Sequence, residues 1–337
     1  MSRNVELIRP ADLADRDRAA WREAQAGDAA LSSPYFALGF FDAVDAVRRD
    51  TAVLRIAHEG VSFLPLQPGP FGHARPLAGP LGDHHGVIGA PVSRETLESA
   101  LRQAGLSVFD HHGALGVQPG FSGEVEGSWV CDLSGGFNAF CKARKKLGGN
   151  TARNIFAAER KLEEHGALTF RFEDARPESL ERLLAWKSAQ YAASGHFDVF
   201  SVAWTRNLLT RLLAADPADG ARGVVSSLEL DGRLVAVHFG LLGERAMHYW
   251  FPAYDPALSR LGPGNALLTH ILRALAAQGV GEVHLGPGEY RYKASLGSWQ
   301  FPVVRGCVSG GGAFAALRTF AAALEQGAER LPLGRAS

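Results

Sequence analysis

Two glycines flank a proline in RLGPGNA (260–266), directly ahead of an apolar run at Leu267, Leu268, Ile271, Leu272 and Leu275. A helix that opens there leaves its first N–H groups without intrahelical partners, at the positive end of the helix dipole. Gly262 and Gly264 carry no side chain to block close approach, Pro263 fixes φ, and Asn265 and Ala266 offer backbone N–H groups. The product is an anion pocket suited to a pyrophosphate. The stretch has neither GxxxxGK[ST] nor GxGxxG spacing, so it is not a Walker A loop or a dinucleotide fingerprint. Its plain alternative is a turn that merely ends a hairpin.

Other residues bear on chemistry. His238 and His248 fall on adjacent expected strands, each either a general base or a hydrogen-bonded core histidine. No carboxylate stands at ligand spacing from them, which argues against a metal. Trp186 and Gln190 lie one helical turn apart and share a face. They suit a sugar ring, stacked and hydrogen-bonded, although Trp186 is equally suited to a core. The pairs His84-His85 and His111-His112 read as solvated loop residues of the first part of the chain. Between Lys142 and Lys161 stand seven basic residues against one acid, Glu159. That segment fits phosphate binding or a solvated helix face; with few aromatics interleaved, RNA is the least favoured ligand.

The elements that must position these groups follow from pattern and punctuation. In the first part, a helix is expected over 11–26, and TAVLRIAHEGVSFLPLQPG (51–69) reads as two strands joined at Glu59-Gly60. Residues 67–91, with five prolines and six glycines, read as loop. A helix at 94–105 leads to strands at 107–110 and 128–133. Two helical segments at 137–165 are broken at Gly148-Gly149. A strand follows at 168–174, then a helix over 177–195 with Pro177 at its start and Gly195 at its stop. Three strands span 223–251, joined at Asp231-Gly232 and at 243–245. The glycine-opened helix (262–279), a strand at 282–286, a short helix around 290–296, a strand at 302–308 and a C-terminal helix at 313–327 complete the pattern. The organisation expected is 1–136, a basic helical connector 137–166, and 167–337.

Composition sets the frame. The 337 residues include 35 basic and 35 acidic side chains, 46% hydrophobic and 21% charged residues. Such a chain is globular, with no global charge for coating nucleic acid or an anionic membrane. Three cysteines without a CxxC pair form neither a disulfide framework nor a zinc site. The N-terminus has no apolar signal core and no run reaches a membrane span, so a cytoplasmic protein is expected.

The order strand, helix, three antiparallel strands, glycine-opened helix, strand, short helix, strand over 168–308 resembles a GNAT-type acyltransferase. The pyrophosphate turn of that superfamily is written roughly [RQ]xxGx[GA]; Arg260-Leu261-Gly262-Pro263-Gly264 is one residue shorter. SSPYF, RKKLGGNTARNIFAAERKLEEHG, WKSAQ, YDPALSRLGPGNALL and LGPGEYRYKASLG, spread over residues 32–297, resemble the CelD family of acetyltransferases associated with bacterial cellulose and exopolysaccharide synthesis. The resemblance implies an α/β fold of two tandem GNAT-like lobes, each a mixed, mostly antiparallel sheet flanked by helices, as in the FemAB transferases. It implies acetyl-CoA as cosubstrate, no metal, and direct attack on the thioester by an amine or hydroxyl of a sugar or polysaccharide precursor. The cosubstrate would lie along Trp250, Phe251, Arg260, Gly262, Pro263, Gly264, Asn265 and Ala266, with strands splayed near 248–251 and 282–286 and an oxyanion contact at Trp250 or Phe251. It also implies Glu289 as base and Tyr290 or Tyr292 as acid toward the thiolate, with His238, weighed above, the other candidate base. Trp186, Gln190, Tyr249 and Lys293 would contact the acceptor. Rival readings are an aminoacyl transferase using charged tRNA and a non-catalytic ligand- or partner-binding protein.

Overall fold

Turn residues set the strand ends. Asp231 and Gly232 both take positive φ, 49° and 76°, which closes a two-residue hairpin, and Glu59-Gly60 (52° and 135°) sit in the three-residue turn between Ala57 and Val61 that closes another. The computed structural model describes residues 4–318. In chain order its elements begin with β1 (Val5–Ile8), α1 (Asp15–Gly27), α2 (Leu38–Arg48), β2 (Ala52–Ala57), β3 (Val61–Pro68) and β4 (His73–Pro76). Next come β5 (Ile88–Gly89), α3 (Arg94–Gln103), β6 (Val108–Leu115), β7 (Glu124–Asp132), α4 (Phe137–Leu147) and α5 (Gly149–Glu163). Then follow β8 (Leu168–Arg171), α6 (Pro177–Ser194), α7 (Ala203–Leu213), β9 (Ala221–Leu230), β10 (Arg233–Gly243) and β11 (Ala246–Tyr254). The series closes with α8 (Pro263–Ala277), β12 (Glu282–Pro287), α9 (Arg291–Leu296) and β13 (Trp299–Ser309). Residues 313–318 are helical, and the remainder of the helix expected at 313–327 lies outside the described residues.

The chain forms two compact units that interleave in sequence. Of the described residues, 4–31, 44–127 and 302–318 make one, and Ser32–Ala43 with Ser128–Phe301 make the other. In the first unit the strand order is β1-β2-β3-β4-β6-β13, antiparallel except for β4 beside β6, with β5 on β3. Leu54, Leu64, Leu66, Leu97, Leu101, Phe109 and Val308 fill its core. Two expectations are corrected here. Residues 67–91 are not all loop: β4 and β5 lie inside them, too short to show a period. Three of the four paired histidines are not solvated either; only His112 is exposed, and it lies on β6 rather than in a loop. His84 is buried in the loop and His85 is 7% exposed, while His111 lies on β6 with its Nδ1 3.1 Å from the Val304 carbonyl.

In the second unit the order is β7-β12-β11-β10-β9-β8, antiparallel except for the β11–β12 pair. Helix α8 buries Ala266, Leu267, Leu268, Ile271, Leu272 and Leu275, and α5 lays Ala152, Ile155, Ala158 and Leu162 against it. Each fully buried leucine or isoleucine contributes about 2 kcal/mol. Helix α7, unread in the sequence, buries Leu208, Leu209 and Leu212. The start of α6 is fixed by Asp174, which accepts from Ser179 and Ser227 hydroxyls, each at 2.6 Å, and from Arg176. Burial alone would raise its carboxyl pKa, but these bonds outweigh it and hold the group well below the usual carboxylate range. The α/β class and the mixed, mostly antiparallel sheets flanked by helices are as expected.

Candidate functional site

The site begins with a bulge. Between β10 and β11 the register moves from Phe239↔Phe251 to Leu241↔His248, so three steps on β11 face two on β10. The extra residue at Tyr249-Trp250 bends β11. On β12, Gly286 takes φ 76° at a second register shift, against β7. The parallel β11–β12 ladder therefore runs only from Ala246↔Glu282 to His248↔His284, although β11 continues to Tyr254 and β12 to Pro287. Past residues 248 and 284 the strands part, as the resemblance implied. Backbone N–H and C=O groups left off a ladder need other partners, and an extended amide-bearing chain such as pantetheine would provide them.

Aromatic rings brace this bend. Trp250 stacks on Phe251 at 4.8 Å, and Tyr35 and Phe40 set their edges to Trp250 at 5.7 and 6.3 Å. Tyr35 also lies 4.9 Å from the His248 ring. The SSPYF segment thus props the bulge, a role sequence reasoning missed. Beside it, His284 Nε2 lies 2.9 Å from Glu282 Oε2, and the Ser32 hydroxyl donates to the same carboxylate at 2.8 Å.

At the opening of α8, Gly262 takes the left-handed conformation (φ 74°) that lets the chain enter the helix. The amides of Asn265 and Ala266 both donate to the Gly262 carbonyl, at 3.0 and 3.1 Å, and the Gly262 amide donates to Ser259. The expectation of several bare amides is therefore corrected. Asn265 and Ala266 close the first turn on itself, Pro263 has no N–H, and Gly264 alone among these keeps an N–H with no described partner. A Cβ built on Gly264 would lie 3.1 Å from Tyr254 Cδ1, so the Tyr254 ring walls this turn. Arg260 is exposed, and its carbonyl accepts from Lys161 Nζ at 3.4 Å. One open amide, a helix N-terminus and neighbouring cations still fit an anionic group.

Of the side chains expected to act, the structure gathers three. His238 is fully buried and stacks on Tyr249 at 4.1 Å with a 12° interplanar angle. Burial and the nearby Tyr292 raise the Tyr249 phenol well above its ordinary range, so it is neutral at pH 7. Tyr292, half-buried, packs against the α8 core. Glu289 and Tyr290 instead stand exposed, Tyr290 at 63%. Lys293 is buried, with Nζ donating to the Pro287 carbonyl and lying 5.1 Å from the Tyr290 ring centroid. It clamps its own loop. Trp186, half-buried under Arg182 at 5.8 Å, lines a cavity of about 420 Å³ with Arg233, Leu234, Asp255 and Pro256. Gln190 is exposed and accepts from Lys187 Nζ at 3.2 Å. Lys187 was passed over in the sequence, although the spacing Ser179, Leu183, Lys187 sets it on the buried stripe of α6. Among the described residues no group of three His, Cys, Asp or Glu side chains is placed to hold a metal.

Both His238 ring nitrogens lack a described partner, and burial, with His248 nearby, pushes its pKa well below the usual imidazole value. In the unfolded chain it titrates near 6.5. Between those values the unfolded state holds the extra proton, so stability falls as pH drops below about 6.5. His238→Phe is expected to flatten the pH dependence of the urea-unfolding free energy there by up to about 1.4 kcal/mol per pH unit. An unchanged slope would mean that another group carries it.

Residues 149–294 match the family model described as an acetyltransferase (GNAT) domain. Two solved structures share the fold. One is the C-terminal domain (DUF2156) of a putative lysylphosphatidylglycerol synthetase from Agrobacterium fabrum, 15% identical, with TM-score 0.53 over 92% of this chain and 96% of that one. The other is FemX, 8% identical, with TM-score 0.57 over 89% and 97%. No curated protein sequence matches the chain. The family match falls on the unit that holds the parted strands and the α8 turn, and the chain is an acyltransferase with a GNAT-type acetyltransferase domain.

Proposed function

We propose that the protein transfers an acetyl group from acetyl-CoA to a hydroxyl or amine of a sugar or polysaccharide-precursor acceptor, as the CelD-like motifs imply, and that it does so in the cytoplasm. The observation that carries this is the parting of β11 from β12 beside the N-terminus of α8. Pantetheine amides pair with the unladdered edges past residues 248 and 284. The diphosphate meets the Gly264 N–H and the α8 dipole. A backbone N–H of Trp250 or Phe251 at the bulge polarises the thioester carbonyl. Attack by the acceptor expels the thiolate, to which Tyr292 gives its proton, and the exposed Glu289 takes the proton of the acceptor. No described helix is long and apolar enough to cross a membrane.

A thermal-shift screen of CoA thioesters tests the reading. At a hundredfold excess over Kd, acetyl-CoA is expected to stabilise the fold by about 2.7 kcal/mol, a rise in Tm of about 5 °C. No shift with any thioester, alongside salt-sensitive stabilisation by aminoacyl-tRNA, would replace it with a tRNA-dependent reaction.

A further inference from the structure

Helix α6 packs on β10 and β11, and the lysine on its buried stripe is in an unusual position. Only 8% of Lys187 is exposed. Its Nζ donates to Gln190 Oε1 at 3.2 Å and lies 5.2 Å from the Tyr191 ring centroid. Both partners belong to the same helix, and no described residue forms an ion pair with it. An ammonium has three donors, so two remain in a place nearly closed to water. A buried charge left this way is among the costlier arrangements a fold can hold, unless something else completes it.

The surroundings continue outward from that point. Gln190 shares a helix face with Trp186 one turn earlier, and Trp186 walls the cavity opposite Arg233, Leu234, Asp255 and Pro256. Arg233 is ion-paired with Asp255, whereas no described carboxylate pairs with Arg182, which lies over the indole. The cavity therefore offers an aromatic wall and an unbalanced guanidinium, and the unbalanced buried ammonium stands on the same helix one residue beyond Trp186, linked to that face through Gln190. Inward, Tyr191 meets Phe200 at 6.3 Å and Phe200 meets Phe251 at 5.0 Å, so a chain of rings joins Lys187 to the bulge where the strands part.

We propose that this face of α6 is the acceptor subsite and takes an anionic sugar, one bearing a carboxylate or a phosphate, whose oxyanion fills the open donors of Lys187 while its ring lies on Trp186. The word acceptor rests on the acyl-transfer reading; the anion site stands on α6 alone. A neutral sugar leaves the ammonium unanswered, so the charge on the ligand sets the specificity. Burial alone lowers the pKa of Lys187. Gln190 is uncharged, and the Tyr191 phenol, raised by burial and by Asp198, is neutral as well. A bound anion draws the amine back to its charged form and takes up a proton at alkaline pH.

Isothermal titration with glucose, glucose 1-phosphate and glucuronate decides the matter, run in buffers of different ionisation enthalpy at about pH 9. The wild type is expected to bind at least one anionic sugar about tenfold or more tightly than glucose, with proton uptake. The anion that wins, phosphate or carboxylate, names the source. Lys187→Met exchanges the buried charge for an apolar chain of similar length. It is expected to fold with a raised Tm, to keep its acetyl-CoA affinity, and to lose both the preference and the proton uptake. Lys187→Arg should retain part of the preference. Equal binding of all three sugars, binding of none, or a preference that survives Lys187→Met overturns the proposal. Failure of the wild type to bind acetyl-CoA would instead remove the acyl-transfer reading.

Discussion

Gly264→Glu is expected to weaken acetyl-CoA binding about a hundredfold while the protein stays folded. The argument begins with the amide inventory of the α8 turn, where the Gly264 N–H is the donor left over once Asn265 and Ala266 have closed on Gly262. A carboxylate placed about 5 Å from a diphosphate opposes it by about 3 kcal/mol at an effective dielectric of 20, which is about two decades in Kd. The new Cβ meets the Tyr254 ring, itself 45% exposed and free to swing outward, so packing yields more readily than binding does. Gly264→Ala brings the same Cβ without the charge and should cost only a few-fold. Titration of both variants with acetyl-CoA separates the two effects, and an unchanged Kd for the glutamate variant would take the diphosphate away from this turn.

Tyr292→Phe is expected to lower kcat by about 10²- to 10³-fold with the KM for acetyl-CoA little changed, the size and form of a lost proton donor. The ring stays where it is, packed against the α8 core, so the substitution removes the hydroxyl and leaves the packing in place. Tyr290→Phe is the control. Tyr290 is 63% exposed, and its loss should change kcat less than about twofold. Release of free CoA thiol, followed by colour reaction, reads both. If the loss falls on the Tyr290 variant instead, the exposed turn ahead of α9 performs the chemistry.

The sequence disclosed elements wherever local backbone chemistry decides structure. Asp231-Gly232, Pro177 with Gly195, and Gly279 each mark an end that the structure repeats, because left-handed φ and a missing N–H act within one or two residues. Strand β4 escaped because four residues carry no period, and its pairing with β6 is made by distant chain. Helix α7 has a short apolar stripe, Leu208, Leu209 and Leu212, whose buried face is completed by the polar Thr205. Within the site, the glycine turn is visible, but the use of two of its amides by Gly262 depends on how the first helical turn closes on itself. So does the division of Glu289 and Tyr290, ahead of α9, from Tyr292 on it, which their closeness in sequence cannot make. His111 escapes a strand reading because β6 continues past Asp110 on polar residues; its burial comes from packing within the first unit, while His112 beside it stays exposed.

The bracing of the bulge by Tyr35 and Phe40 has a consequence for modularity. These rings come from Ser32–Ala43, nearly a hundred residues ahead of the rest of their unit. A genetic fragment starting at residue 128 would leave Trp250 and His248 facing water on the side those rings cover. The transferase half of this chain is therefore not a portable cassette: duplication, fusion or exchange of that half must carry the distant dozen residues with it.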